Sequence, residues 1–213
     1  VTTMAVFIIS RDLGVSLMYP LIFLAMLLAY GVYRNNGRED NDYQVILSFD
    51  PDAFAGAHFD QNQPHGIGPK VYKKMFVYTG NTSYGVQNLE YDRLSGDYWM
   101  IVYEGGKAQF DNRPVYVLDG KKAPVMQPLR LGRENVYGKA EGEVLSLKEK
   151  GTYHEQSGVW GIPRMPLTAD KGFISLGNDY FYVADAGKKD DMQYGYMRLM
   201  KLNRADYTFQ IVE

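Results

Sequence analysis

The chain has 213 residues with 23 basic and 25 acidic side chains, a formal net charge of −2. That length can bury a sizeable core, and the near balance argues against a broad nucleic-acid surface, which needs clustered Lys and Arg. Cysteine is absent, which excludes disulfide frameworks, Cys-ligated zinc and thiol nucleophiles; the three histidines, His58, His65 and His154, lack the spacing of a zinc site. No basic segment leading into a short apolar stretch and a small-residue cleavage site follows Val1. The expectation is a chain without a signal peptide that is part of a longer protein.

The first element is the uncharged run Leu13–Tyr33. As a helix it is long enough to cross a hydrocarbon core of about 30 Å, and its leucines favour helix. Pro20 and the nearly symmetric flanks, Arg11 and Asp12 against Arg34, Arg38, Glu39 and Asp40, argue the other way. Strands covered on both faces also read as continuous apolar runs. A pair of buried strands within Leu21–Tyr33 is the favoured reading, which makes this a soluble protein; a membrane anchor at Leu13–Tyr33 is the alternative.

Beyond residue 40, short apolar and aromatic runs alternate with Gly, Asn, Asp and Pro turns. They predict strands at Tyr43–Phe49, Lys74–Tyr78, Val86–Tyr91, Tyr98–Tyr103, Pro114–Leu118, Glu143–Leu147, Phe173–Leu176, Tyr180–Ala184, Tyr196–Leu202 and Thr208–Val212. In "EYDRLSGDYWMIVYEG" two aromatic strands flank a turn whose Gly96 can take a positive φ. "LGNDYFYVAD" repeats the plan about eighty residues on, with Gly96–Ile101 aligned on Asn178–Val183. Each hairpin leads to a further strand, "RPVYVLD" and "GYMRLMKLN", and "LLAYGVY" followed by "DYQVILSFD" has the same strand–loop–strand form.

Self-similarity in four-stranded antiparallel units is the mark of a β-propeller. The predicted fold is all-β and propeller-like, one domain of three blade-like units at roughly 1–70, 71–140 and 141–213. Full propellers need at least four blades, so the propeller would be incomplete, with further blades elsewhere or another copy covering an edge. The alternatives are a β-sandwich and a β domain with one N-terminal transmembrane helix. The segments "AYGVYRNNGREDNDYQVILSFD", "VYTGNTSYGVQNLEYDRLSGDYWMIVYEG" and "GNDYFYVAD" resemble uncharacterised propeller-like proteins of bacteria over about half of the chain. The resemblance implies a soluble bacterial propeller-like fold, and no activity or functional residue.

A second echo, "SYGVQNL" against "QSGVWGI", marks comparable positions before inner strands. In a radial repeat these point toward one axis, which would gather Tyr84, Gln87, Asn88, His154 and Trp160 into a site for a carbohydrate or small polar ligand. In the plainer reading Gln87 and Asn88 satisfy backbone groups, Trp160 fills core and His154 sits in a loop. A glycosidase would need two facing carboxylates, drawn from Glu90, Asp92, Glu104, Glu155 and Asp185. "GKKDDMQYG" lacks the alternating ligands of a calcium loop, and "PHGIG" gives His65 no visible partner. With no Gly-rich phosphate loop, no Gly-x-Ser-x-Gly and no His-Glu-x-x-His, no cofactor or metal is expected. A non-catalytic binding or scaffold module is the leading reading, and a carbohydrate-active enzyme the runner-up.

Overall fold

The structure, a computed structural model, describes residues 5–7, 26–31, 42–54, 70–80, 85–103, 113–129, 140–167, 169 and 171–212. Chain order begins with an antiparallel meander of β1 (Ala5–Phe7), β2 (Met26–Gly31), β3 (Tyr43–Phe49) and β4 (Val71–Tyr78). A second meander holds β5 (Val86–Asp92), β6 (Asp97–Val102) and β7 (Val115–Leu118). Next come β8 (Val125–Pro128) and β9 (Glu141–Val144), which join the first sheet through a parallel pairing of β9 with β4. The hairpin of β10 (Thr152–His154) and β11 (Val159–Gly161) leads to a last meander of β12 (Gly172–Gly177), β13 (Tyr180–Lys189), β14 (Met192–Asn203) and β15 (Thr208–Ile211). The protein is all-β, its sheets are open, and the helical content of the described residues is one 3-10 turn at Pro51–Phe54.

Three sheets stack in layers, and the alternation of side chains along each strand decides what each layer touches. In β6 and β7, Trp99, Ile101, Val115 and Val117 face the last sheet, where they meet Phe173, Phe181, Val183, Met200, Leu202 and Phe209. Met100, Val102, Tyr116 and Leu118 face the first sheet and pack on Ala29, Ile46, Met75 and Val77. The middle layer is covered on both sides, so β6 and β7 carry no polar alternation. Bridges from Val115 to Ile162 and from Leu118 to Leu147 extend its outer edge.

The second half of the apolar run is β2, hydrogen-bonded to β1 on one side and β3 on the other. A transmembrane helix over all of Leu13–Tyr33 is therefore incompatible with this sheet; residues 13–25 lie outside the described residues. No helix among the described residues is long and apolar enough to cross a membrane. The strand–loop–strand plan read in the sequence corresponds to the antiparallel pairs β2–β3, β6–β7 and β13–β14.

The sequence echo between the two hairpins needs a correction of one residue. The β5–β6 hairpin closes on the pair Asp92 and Asp97, with four residues between, and the β12–β13 hairpin on Gly177 and Tyr180, with two. Asn178 and Asp179 both have positive φ, 51° and 67°, as a two-residue turn matched to strand twist demands. Anchored on these closing pairs, Trp99 corresponds to Tyr182 and Met100 to Val183, rather than Trp99 to Phe181. Trp99 points from the middle sheet toward the last one, and Tyr182 points the same way along the stack, out of the last sheet.

β13 and β14 outrun their neighbours. β12 pairs with β13 only as far as Ala184, and β15 with β14 only from Met200. The pairs from Asp185–Tyr196 to Lys189–Met192 therefore form a two-stranded arm that turns at Asp190 and Asp191. The Tyr194 ring covers Gly187 opposite it, where an added Cβ would collide with the ring.

The core between middle and last sheets is dominated by four rings. Phe181 lies 4.9 Å from both Trp99 and Phe173 and 5.4 Å from Phe209, centroid to centroid, in tilted and edge-on arrangements. We expect Phe181→Ala to lower stability by about 3–5 kcal/mol in urea unfolding. Its neighbour Tyr182, 38% exposed, should cost less than about 1 kcal/mol when truncated.

Candidate functional site

Gly85, at φ 83°, leads into β5, where a bulge at Gln87 breaks the pairing with β6 between Val86 and Asn88. Both polar side chains are buried. Asn88 Nδ2 donates to the carbonyl of Ala169 at 2.6 Å, so this amide ties the middle layer to the segment entering the last sheet. Gln87 Oε1 is buried and accepts no hydrogen bond among the described residues, a cost of roughly 1–3 kcal/mol. Tyr84 lies outside the described residues.

His154 opens the four-residue loop between β10 and β11. Its Nδ1 accepts the Ser157 N–H at 3.3 Å and lies 2.7 Å from the Ser157 hydroxyl, while Gly158, at φ 70°, donates to the His154 carbonyl. Asp92 does the same work in the β5–β6 loop: Oδ1 accepts from Leu94 N–H, Oδ2 from the Ser95 hydroxyl, and its carbonyl from Gly96 N–H. The β14–β15 loop is a third version, with Asn203 accepting from Ala205 N–H and Tyr207 in the positive-φ position. An acceptor side chain at the first position and a left-handed residue near the end define this turn. In it His154 acts as the acceptor that Asp92 and Asn203 are elsewhere.

Trp160 is half-buried and packs on Tyr153 across the strand pair, 5.5 Å between centroids. Asn88, Ile101, Val115 and Ile162 form one row across the middle layer. Three strand spacings, about 14 Å, separate the ends of that row. Gln87 and Asn88 thus sit on one edge of the layer, and Trp160, two residues before Ile162, on the other.

Among the acidic residues, Glu90 stands out. It shares a face of β5 with Asn88 and Asp92, and its Oε1 accepts the N–H of Ser175 at 3.1 Å. Burial raises its pKa above the ordinary 4.5; the Ser175 bond opposes this, Asp92 adds to it and Arg93 opposes it. Both Asp92 oxygens are engaged within their own turn. Glu155 is exposed, Asp185 is buried and accepts from Ala186 N–H, and Glu104 lies outside the described residues. Ser175 pairs with Phe181, four residues from Asp185, so Glu90 and Asp185 are separated by about 13 Å of strand. Among the described residues no three His, Asp or Glu side chains are grouped to hold a metal. Asp191 in the arm's turn pairs with Lys188 at 2.8 Å.

The strongest electrostatic feature lies at the hairpin end of the middle and last layers, and the sequence reading missed it. Asp97 is fully buried where β6 begins. Lys148 Nζ lies 2.6 Å from its Oδ1 and 2.8 Å from its Oδ2, the second aligned as a hydrogen bond. Lys150 Nζ is 3.9 Å from the same carboxylate and 5.2 Å above the Trp99 ring. Its pKa is lowered, first by burial, with Asp97 opposing and Lys148 reinforcing. Asp119, opposite Asp97 across the sheet, lies 4.0 Å from Lys148. The last layer adds Asp179, held by Arg204 at 2.6 Å, and Leu94 of the β5–β6 loop rests against Gly177. The only sign in the sequence was a Gly-Asp step after a turn, and nothing in it pairs Asp97 with lysines fifty residues away. No family model, no curated protein and no solved structure matches the chain.

Two outcomes are expected. Asp97→Ala leaves Lys148 and Lys150 without their shared counter-charge and should destabilise by about 3 kcal/mol in urea unfolding. Glu90→Gln keeps an acceptor for Ser175 and removes the titration. With a raised folded pKa, the wild-type stability from Glu90 is full below the unfolded value of 4.5 and is lost as pH rises through the folded one. The urea midpoint of Glu90→Gln relative to wild type should therefore climb as pH rises above 4.5; a constant difference would refute the assignment.

Proposed function

We propose that the chain is a non-catalytic binding or scaffold module of propeller-like build. The observation that carries this reading is the employment of the polar face of β5. Asn88 bonds the carbonyl of Ala169, Glu90 bonds the N–H of Ser175, and Asp92 closes its own turn. Asn88 and Glu90 thus join the middle layer to the last one, and Asp92 is engaged within its own loop. The propeller-like build is supported by the placement of β5, which lies against β12 on one side and β1 and β2 on the other. It is also supported by the equivalence of Trp99 and Tyr182, which face the same way, as members of a radial repeat would. The resemblance to propeller-like proteins of bacteria agrees with this reading.

For a carbohydrate or small polar ligand, the structure leaves two separate leads. Gln87 has an acceptor without a donor among the described residues, and Trp160 has a partly open ring. The runner-up, a carbohydrate-active enzyme, is favoured by one observation, the raised pKa of Glu90, the trait of a general acid. A glycan array probed with the chain, followed by a hydrolysis assay on every hit, separates the two readings. Binding without turnover is expected. Trp160→Ala should weaken such binding by about 1–3 kcal/mol, and turnover abolished by Glu90→Gln would replace this reading with the enzyme.

A further inference from the structure

One buried carboxylate faces two lysines at the hairpin end of the middle layer, and it serves them unequally. The Asp97 side chain is 1% exposed, and Lys148 engages both of its oxygens. Lys150 Nζ lies 3.9 Å from Oδ2, inside ion-pair range but beyond a hydrogen bond. Its other contact is the face of the Trp99 ring, 5.2 Å from the centroid. An ammonium carries three N–H donors, and those of Lys150 meet no protein acceptor among the described residues. Access does not separate the two lysines, since their side chains are 26% and 25% exposed. What separates them is the hydrogen bonding of the charge.

The backbone holds this inequality in place. Residues 146–151 run beside β7: Asp119 N–H donates to the Ser146 carbonyl at 2.9 Å and Lys148 N–H to the Val117 carbonyl at 2.7 Å. Lys150 N–H then turns back onto the Lys148 carbonyl at 2.8 Å. Gly151 follows at φ 92°, where an added Cβ would collide with the carbonyl of Gly161. Both side chains therefore start from fixed points on the edge of the middle sheet. Burial holds the Lys150 pKa below the ordinary lysine value; Asp97 opposes this, Lys148 and Arg204 reinforce it, and Asp179 opposes it. Asp119 is shared between Lys148 at 4.0 Å and Lys122 at 3.6 Å.

A reachable amine whose ammonium form is poorly served is a nucleophile. We propose that Lys150 captures small aldehydes covalently, as a protonated imine held between the Asp97 carboxylate and the Trp99 ring. The Nζ lone pair forms the C–N bond while the carbonyl π pair moves to oxygen. One proton passes through solvent from nitrogen to that oxygen and gives the carbinolamine. The nitrogen lone pair then expels the hydroxyl, which leaves as water with a proton taken from solvent. Amine, aldehyde and one proton become a protonated imine and one water, and nothing is oxidised or reduced. The product suits this site better than the ammonium does. It is a planar cation with a single N–H, so it gains from an aromatic face and a nearby negative charge without needing three acceptors. An aldehyde carbon, with hydrogen as one substituent, is the carbonyl that a half-buried amine attacks with least hindrance. Such capture requires neither a glycan nor a propeller.

The test is reductive trapping with propionaldehyde and sodium cyanoborohydride, which delivers hydride to the imine carbon and leaves an N-propyl amine. Each lysine is followed by peptide mass mapping. At about pH 7, Lys150 should react at least about tenfold faster than Lys148 and about fivefold faster than the exposed Lys70 and Lys189. Its lead over Lys70 and Lys189 should vanish near about pH 10.4, where ordinary lysines also lose their protons. Lys148→Gln frees an Asp97 oxygen for Lys150 and should slow Lys150 at least about threefold at neutral pH. The urea midpoint reports whether that variant is folded, and the wild-type pH profile decides alone if it is not. Equal rates at Lys150 and Lys148, or a lead that persists at high pH, would overturn the proposal. So would an unchanged Lys150 rate in folded Lys148→Gln, or no label at Lys150 where Lys70 and Lys189 react.

Discussion

The middle sheet must be buried on both sides, and the other layers are arranged around that constraint. Two neighbouring residues of β6, Trp99 and Met100, serve different cores. A substitution that shifted β6 by one position would exchange the two sets, placing an indole against Ile46 and a methionine against Phe181. Register is therefore fixed from both sides at once. Burying such large side chains contributes about 1.5–3 kcal/mol each, so much of the cohesion between layers resides in β6 and β7.

Sheets stacked in this way leave backbone groups at their edges that no ladder can satisfy. The edge of β12 shows how this chain meets that problem. Ser175 lies at a bulge, and its N–H is taken by a glutamate from another sheet. Ala169, just upstream, gives its carbonyl to an asparagine from the same strand. Polar side chains on β5 thus act as substitutes for a missing strand, because an unmet buried backbone group costs more than the partial desolvation of a carboxyl. The raised pKa of Glu90 is the trace of that compromise.

Much of this was legible in the sequence. Tyr43–Phe49 was delimited to the residue, and nine further strands overlap the observed ones, because alternating apolar residues bounded by Gly and Asp leave little choice. What was not legible depends on other layers. The short strands β8, β10 and β11 have too few apolar residues to signal themselves, and they form by pairing with neighbours already in place. The arm extended β13 five residues past Ala184, since a ribbon exposed on both faces shows no alternation to read. Among the site residues, Asn88 bonds a backbone carbonyl, the role considered for it in the sequence, and Gln87 is buried without such a bond from its Oε1 among the described residues. The separation of Trp160 from them by two intervening strands could not be read from an echo of four letters.

The arm also has a meaning for how this chain can vary. Among the described residues its pairs touch no third strand, and its turn lies beyond the ends of both neighbouring strands, β12 and β15. Residues can be added or removed there in opposed pairs, one on each strand, while every register below Asp185 stays as it is. The ribbon behaves as an adjustable spacer, and length differences among relatives of this chain would be absorbed there before they reached either core.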